Sequence, residues 1–162
     1  TKHLFSNAKK EWQLERIEDL KMIRWAARLH EIGLAIAHNQ YHKHAAYLLS
    51  NSDMPGFSRQ EQVLLSILVR LHRRKITLDL FDQVTDDIKI KLIKLIIILR
   101  LAIVLNRSRN AIKIPDVDIK IKNETIELDF QDNWLADHPL TEADLETEKN
   151  YLSVTDYKLI FN

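Results

Sequence analysis

The sequence predicts a mainly α-helical protein, in which a helical bundle is followed by a small α+β unit with a short antiparallel sheet. The 162 residues include only two glycines and three prolines, which is too few for a turn-rich sandwich or barrel. Apolar residues make up 46% of the chain and recur mostly at three- and four-residue steps, which is typical of helices. After Pro115 the period changes to two, which is typical of strands.

The first two predicted helices cover roughly residues 6–14 and 16–37. Apolar side chains of the second helix recur at helical spacing, which predicts that they form its buried face. These side chains are Met22, Trp25, Leu29, Ile32 and Ile36.

Three further helices complete the predicted bundle. The third covers residues 42–51 and ends at the turn formed by residues 53–56. Ser58 and Glu61 have the spacing of a capping box, which predicts the start of the fourth helix. The segment of residues 85–107 is apolar on nearly every side in its second half, so we expect it to be a central helix surrounded by the others.

The small α+β unit is predicted from the change of period. Residues 117–121 and 126–130 alternate between apolar and polar side chains on either side of Asn123-Glu124, which predicts a β-hairpin. A last helix over residues 141–152 and a strand over residues 157–161 complete the unit.

The two predicted domains, residues 1–110 and residues 111–162, differ in charge. Residues 1–122 contain 22 Lys or Arg against 13 Asp or Glu, a net charge of +9, whereas residues 123–162 contain 2 against 10. Two interpretations stay open at this point. The two halves attract one another, or the positive half binds a polyanion.

Several classes of protein are excluded. The absence of cysteine rules out disulfides and thiolate metal sites and is compatible with a reducing compartment. The apolar run of residues 95–105 is interrupted by Arg100 and is shorter than the ~20 residues that a membrane span needs. Trp12, Trp25 and Trp134 are too scattered to form a stacking platform for bases. We expect a cytoplasmic protein without a nucleic-acid partner and without a membrane span, and leave open its association with a membrane surface.

Five blocks of sequence stand out by their order and spacing. They are Leu29-His30-Glu31-Ile32-Gly33, the block from His42 to Leu49, the block from Asn51 to Phe57, the block from Leu68 to Lys75, and the block from Leu99 to Asn106. Together they resemble the C-terminal domain of the exopolyphosphatase and guanosine pentaphosphate phosphatase family. The resemblance covers nearly the whole chain. The basic residues of the fourth block favour the exopolyphosphatase branch.

This resemblance implies a function for a longer protein. It implies hydrolysis of the terminal phosphates of inorganic polyphosphate in N-terminal actin-like domains that this sequence lacks, with a divalent cation, expected to be Mg²⁺, in those domains. For the present region it implies an HD-like bundle that is not catalytic by itself, holds no cofactor, binds the polyphosphate chain, contacts the catalytic domains and supports a homodimer. The alternative is the corresponding region of a guanosine pentaphosphate phosphatase, and a less favoured one is a metal-dependent HD phosphohydrolase.

Two basic clusters are the predicted polyphosphate-binding residues. They are Arg70, His72, Arg73, Arg74 and Lys75 at the end of the fourth helix, and His42, Lys43 and His44 at the start of the third. Cations at the end of a helix also complement its dipole. The number of cations exceeds what capping requires, and Arg and Lys are the side chains that bind phosphate oxygens, so we favour anion binding.

A metal site is the weaker possibility. An HD phosphohydrolase needs a histidine, an adjacent His-Asp pair and a distant aspartate around a divalent ion. In this sequence Glu31 takes the place of the paired aspartate and Ile103 that of the distant one, and isoleucine cannot be a ligand. We therefore expect no metal centre here. The weak candidates are His30, Glu31, His44 and His72, which we expect to be packed or hydrogen-bonded side chains.

Arg100 interrupts the apolar central helix, so its burial requires compensation. Glu31 is one candidate for an acidic partner, and a bound anion is another. We favour a structural ion pair.

Overall fold

The computed structural model describes residues 2–14, 16–106 and 117–162. Among these residues the structure has six α-helices, three β-strands and three short 3-10 turns. The helices are α1 (Lys2–Glu11), α2 (Ile17–Leu29), α3 (Tyr41–Asn51), α4 (Arg59–Leu71), α5 (Asp86–Leu105) and α6 (Pro139–Leu152), and the strands are β1 (Val117–Lys122), β2 (Thr125–Phe130) and β3 (Lys158–Phe161). The predicted class, mainly α with a short sheet, is confirmed.

Close contacts divide the chain into two compact units. Residues 16–99 form one, which we call the helical unit, and residues 1–15 with residues 100–162 form the other, which we call the mixed unit. The domain boundary predicted between residues 110 and 111 lies outside the described residues. No helix in the described part of the chain combines the length and the apolar character that crossing a bilayer would need.

The pairing of α3 with α4 organises the helical unit. Ser58 starts α4, and both hydrogen bonds of its predicted capping box with Glu61 are present. At the same end of the pair, Arg59 donates to the carbonyl oxygen of Ser50 at 2.6 Å, and the Gln62 amide donates to that of Ser52 at 3.0 Å. The end of α3 therefore lies beside the start of α4, and the two helices run in opposite directions.

The predicted buried face of the second helix is wrong. The helix ends at Leu29 rather than near residue 37, and its fully buried residues are Asp19, Ile23 and Ala26. Trp25 is 40% exposed. An apolar stripe could not reveal this face, because it includes Asp19, whose carboxylate is buried and paired with the Lys91 ammonium at 3.3 Å.

Gly33 explains why the chain leaves the helical path after α2. It lies in a 3-10 turn, Ile32–Ala35, that packs against α3. A Cβ atom at Gly33 would lie 1.9 Å from the carbonyl oxygen of Tyr41 and 2.5 Å from the amide nitrogen of Ala45. Only glycine permits this approach of the two backbones. The turn thus fixes the position of the first two turns of α3.

The mixed unit contains the sheet, whose strand order is β1-β2-β3. β1 and β2 form the predicted antiparallel hairpin, in which Val117 pairs with Phe130 and Lys122 with Thr125. β3 instead lies parallel to β2, so the prediction of an antiparallel sheet is correct for the hairpin and wrong for the last strand. The reason is that α6 lies between β2 and β3, and a helical crossover returns the chain in the same direction.

Arg100 has an acidic partner in the mixed unit. Its guanidinium is 1% exposed and donates to Glu148 at 2.6 Å through Nε and at 3.1 Å through a terminal nitrogen. It also lies over the ring of Tyr151. The predicted structural ion pair is present, with a partner on α6 that the sequence analysis did not name.

Replacing Gly33 with alanine should destabilise the helical unit by about 3 kcal/mol or more, because the added methyl group meets backbone atoms that cannot move aside. The measurement is urea unfolding followed by circular dichroism. Gly56→Ala is the matched control. Gly56 has φ +91° but nothing within 4 Å of a Cβ, so only the backbone strain of about 1–2 kcal/mol should appear. Equal losses in both variants would contradict this account of Gly33.

Glu148→Gln should cost about 3 kcal/mol of unfolding free energy, because it leaves the buried Arg100 guanidinium facing a neutral amide. Glu146→Gln on the same helix is the control, since the exposed Glu146–Lys149 pair should contribute less than about 1 kcal/mol. Chemical denaturation of both variants tests the difference. A Glu148→Gln variant as stable as Glu146→Gln would show that the buried pair does not stabilise the mixed unit.

Candidate functional site

The candidate site lies in the helical unit, where the start of α3 meets the end of α4. The Tyr41 ring lies 5.6 Å from the His72 ring, and the His42 ring 6.4 Å from it, between ring centroids. The Arg73 guanidinium lies over the Tyr41 ring at 4.6 Å. Residues about 30 positions apart in the sequence are thus neighbours in the structure.

The structure brings cations of both predicted clusters around one imidazole. Lys43, Arg70, Arg73 and Arg74, which we call the basic cluster, are all close enough to His42 to lower its pKa. Lys43 and Arg74 are exposed, and Arg70 and Arg73 are half-buried. Among the described residues, the charged groups that act on the pKa of His42 are these cations, whereas Asp79 acts on Arg70.

Two other predicted residues stand somewhat apart. Lys75 is exposed but is not among the cations that act on His42. His44 is half-buried one position after Lys43. These two can extend the basic surface, whereas the basic cluster forms its centre.

His42 and His72 are both uncharged at neutral pH. Burial, with smaller contributions from the four cations of the basic cluster, lowers the pKa of His42 to about 4. Burial lowers the pKa of His72 to about 3, against an opposing hydrogen bond to the Val69 carbonyl. The histidines therefore add hydrogen-bonding groups to the site, and the arginines and the lysine supply its charge.

The tautomer of His72 follows from its contacts. Its Nδ1 lies 2.6 Å from the carbonyl oxygen of Val69, so Nδ1 carries the proton and donates. In the neutral ring Nε2 is then an acceptor, and it lies 3.4 Å from the hydroxyl of Tyr41. Because the side chain is only 2% exposed, His72 positions Tyr41, and through Tyr41 the stacked Arg73, rather than offering a charge to a ligand.

The weak metal candidates do not assemble into a site. The rings of His30 and His72 are 5.1 Å apart, but both use Nδ1 to bond a backbone carbonyl of their own helix end. In the part of the chain that the structure describes, no three or more His, Cys, Asp or Glu side chains are arranged to hold a metal ion. Glu31 and His44 therefore complete no ligand set with these two histidines among the described residues.

The backbone at the site is unusual in two places. Gln40, which precedes α3, has φ 53°, and Arg74, which follows α4, has φ 65°. Both lie in the left-handed region, which costs about 1–2 kcal/mol for a residue with a side chain. The Gln40 side chain makes no capping hydrogen bond to the first turn of α3. At position 74 an arginine has the left-handed conformation that glycine commonly has after the end of a helix.

Tyr41 is the site residue that the sequence reasoning missed. It contacts both His72 and Arg73, and so links the two helix ends. Its position immediately before the His42-Lys43-His44 block is the signal that could have identified it, since an aromatic ring next to clustered arginines commonly stacks on a guanidinium.

Lowering the pH should destabilise the helical unit at pH values above those at which carboxylates titrate. An unfolded histidine has a pKa of about 6.5, so between that pH and about 4 the unfolded chain binds more protons than the folded one. Stability therefore falls as the pH drops from 6.5, and His72 alone should account for about 2 kcal/mol between pH 6.5 and pH 5.

The measurement is urea unfolding at pH 7.5 and pH 5. The His72→Gln variant should lose about 2 kcal/mol less between these two pH values than the parent chain does. The exposed His38→Gln variant is the control and should behave as the parent. A His72→Gln variant with the parent's full acid sensitivity would contradict the assignment of a buried neutral imidazole.

Comparisons with known proteins identify relatives over the whole chain. A protein of Pseudoalteromonas translucida (strain TAC 125) named guanosine-5'-triphosphate,3'-diphosphate pyrophosphatase is 32% identical over 160 residues, which are 99% of this chain and 32% of the relative. A protein of the same name from Vibrio atlanticus (strain LGP32) is 38% identical over 129 residues, 80% of this chain and 26% of the relative. The chain thus spans about a third of the length of the curated relatives it matches.

The comparison with protein families covers most of the chain. Residues 1–149 match the family described as Ppx/GppA phosphatase, domain III. These residues include all five blocks on which the resemblance rested, so that resemblance is confirmed at the level of the family. The chain belongs to the Ppx/GppA phosphatase family and corresponds to its domain III.

Proposed function

We propose that the chain is the helical region of a guanosine-5'-triphosphate,3'-diphosphate pyrophosphatase, and that its basic cluster binds phosphate groups of the anionic substrate. The names of the relatives support this branch of the family. The sequence analysis preferred the exopolyphosphatase branch and kept this one as the alternative. The relatives favour the alternative, so the basic residues after α4 do not separate the two branches.

The observation that carries the proposal is the convergence of the basic cluster. Lys43 comes from the start of α3, and Arg70, Arg73 and Arg74 come from the end of α4, and all four act on the same imidazole. Four positive charges, with Asp79 acting only on Arg70 among them, make a local positive field that attracts phosphates. An arginine side chain can bind two phosphate oxygens at once. The Tyr41 ring lies against the Arg73 guanidinium and holds it in position for such a contact.

The chemistry itself is assigned to domains outside this chain. In the whole protein, water would attack a terminal phosphorus, the bridging P–O bond would break, and a divalent cation such as Mg²⁺ in those domains would neutralise the developing charge. The part proposed for the present region is to hold the phosphates of the substrate that lie away from the reacting one. Inorganic polyphosphate is the second candidate substrate, because its repeated phosphates suit the same four cations.

Contact with the catalytic domains and a homodimer stay predictions. One observation supports a buried contact in the longer protein. Four apolar side chains in and near the 3-10 turn are 40–52% exposed, namely Trp25, Ile32, Leu34 and Ile36. Apolar groups so exposed in one region are typical of an interaction surface.

Removing the two exposed cations of the basic cluster should weaken phosphate binding. In the Lys43→Ala, Arg74→Gly double variant we expect at least about fivefold weaker binding of long-chain polyphosphate, since two exposed ion pairs contribute about 0.5 kcal/mol each. Glycine at position 74 also relieves the left-handed backbone, so the variant should be as stable as the parent or more stable. Fluorescence anisotropy at two salt concentrations measures the affinity, and binding should weaken as salt rises.

The control removes two exposed cations elsewhere in the helical unit, with Lys21→Ala and Arg24→Ala on α2. Its affinity should stay within about twofold of the parent. Titration with guanosine-5'-triphosphate,3'-diphosphate in the same assay compares the two candidate substrates. Equal losses in both double variants would mean that net charge, and not the basic cluster, governs binding. Unchanged affinity in the folded Lys43→Ala, Arg74→Gly variant would refute the assignment.

A further inference from the structure

The outward side of α3 carries three exposed side chains in line. They are Lys43, Tyr47 and Asn51, which follow one another at four-residue steps and which we call the outer row. Residues four apart on a helix are neighbours on one face, with Cβ atoms about 5–6 Å apart. Ala45 and Leu49, two positions on either side of Tyr47, are buried. Two residues turn a helix by about 200°, so the outer row faces away from the core of the helical unit.

Tyr47 places an accessible aromatic ring next to the basic cluster. Tyr47 is 65% exposed, whereas the other three tyrosines of the chain are half-buried. The Tyr41 ring, by contrast, lies against His72 and Arg73. An exposed ring is a flat surface on which a nucleobase stacks, because every base has a π-face that suits it. Lys43 belongs to the basic cluster and lies one helical turn from Tyr47, so a nucleotide whose phosphates lie at that cluster brings its base close to this ring.

The Asn51 side chain lies on the other side of Tyr47 along the outer row. Its amide nitrogen Nδ2 donates to the carbonyl oxygen of Tyr47 at 2.8 Å, which holds the side chain in place. With Nδ2 turned towards the helix backbone, Oδ1 of the same planar amide is directed away from it and is an acceptor for a ligand. Guanine carries N–H donors on its edge, including the N2 amino group. Protein sites that bind single bases commonly combine such an edge contact with stacking on an aromatic side chain.

We propose that the outer row of α3 binds the guanosine part of the substrate. The guanine ring stacks on Tyr47, an N–H group on its edge donates to Oδ1 of Asn51, and Lys43 contacts the phosphates that adjoin the nucleoside. This inference rests on the proposed function and deepens it, because it assigns a position to the base. It also separates the two candidate substrates, since inorganic polyphosphate has no group that stacks on Tyr47.

The first test compares Tyr47→Leu with Tyr47→Phe. Leucine removes the ring and keeps an apolar side chain, whereas phenylalanine keeps the ring, so the two variants isolate stacking. We expect Tyr47→Leu to bind guanosine-5'-triphosphate,3'-diphosphate about fivefold or more weakly than the parent chain, and Tyr47→Phe to bind it within about twofold of the parent. Calorimetric titration measures the affinities. Because position 47 is exposed, both variants should fold as the parent does.

Inorganic pentaphosphate is the control ligand, since it carries as many phosphates as the nucleotide and has no base. Its affinity should be the same in the parent chain and in both variants. If Tyr47→Leu loses affinity for pentaphosphate as much as for the nucleotide, Tyr47 acts on the basic cluster and not on a base, and the inference is overturned.

The second test observes the stacking directly. The ring signals of Tyr47 are followed by proton NMR in the parent chain and are assigned by their absence from the spectrum of Tyr47→Leu. We expect the nucleotide to shift them to lower frequency, because a base stacked on the ring adds its own ring current. Pentaphosphate should leave them in place. Equal shifts with both ligands would contradict stacking of a base.

The third test removes the acceptor for the edge of the base. Asn51→Ala should bind the nucleotide about twofold or more weakly than the parent chain, with the affinity for pentaphosphate unchanged. Gln83→Ala is the matched control, since Gln83 is also an exposed amide that donates to a backbone carbonyl, that of Leu80 at 3.3 Å. It should bind both ligands as the parent does. Equal nucleotide affinity in Asn51→Ala and Gln83→Ala would refute the edge contact.

The outcomes separate this inference from the proposed function. If Tyr47→Leu and Tyr47→Phe bind the nucleotide equally, the base position is refuted. The basic cluster would still stand if the Lys43→Ala, Arg74→Gly variant loses affinity for long-chain polyphosphate. If neither the nucleotide nor polyphosphate binds the parent chain at low salt, both are refuted. Loss of nucleotide affinity in Tyr47→Leu, with pentaphosphate affinity retained, supports the base position.

Discussion

The antiparallel pairing of α3 with α4 places the first turn of one helix against the last turn of the other, and the basic cluster depends on that contact. The capping box of Ser58 and Glu61 fixes where α4 begins. Gly33 lets a 3-10 turn touch the backbone of α3 and so fixes where that helix lies. With both helices positioned, the 13 residues of α4 carry the chain back to the start of α3. Lys43 and the arginines meet there because of helix length and direction, and not because they attract one another.

Bringing four cations together requires compensation, and the structure shows where part of it comes from. His42 and His72 stay neutral, so the centre of the cluster adds no further charge. The Tyr41 ring stacks on the Arg73 guanidinium, and the negative face of the ring offsets part of the positive charge. The left-handed backbone of Arg74 and the Nδ1 of His42, which has no hydrogen-bond partner in the described part of the chain, remain uncompensated. Such costs are typical of binding sites, where a ligand supplies the missing interactions.

The C-terminal part of the mixed unit, residues 123–162, has the opposite electrostatic character. The acids of residues 123–162 lie largely on the exposed surface, including Glu142 and Glu146 of α6, and would repel a phosphate chain. A deeply buried charge pair of this unit, Arg100 with Glu148, is enclosed in the unit's own core. Burial raises the pKa of Glu148, whereas the Arg100 guanidinium lowers it, and the short contact between the two favours the ionised pair. The pair is a structural element, and the anion binding proposed above concerns the helical unit.

The sequence by itself determined the class of fold, the family, the start of α4 and the β-hairpin. Each of these follows from a local pattern, namely the spacing of apolar residues, a capping box or the order of the sequence blocks. It also named all four residues of the basic cluster as candidates. Tertiary structure alone decided the buried face of α2, where Lys91 makes a buried Asp19 acceptable, and the direction of β3, which depends on the crossover through α6. It alone decided that the two basic segments are neighbours. Residues about 30 positions apart become neighbours only when two helices pack in opposite directions, and no local pattern encodes that packing.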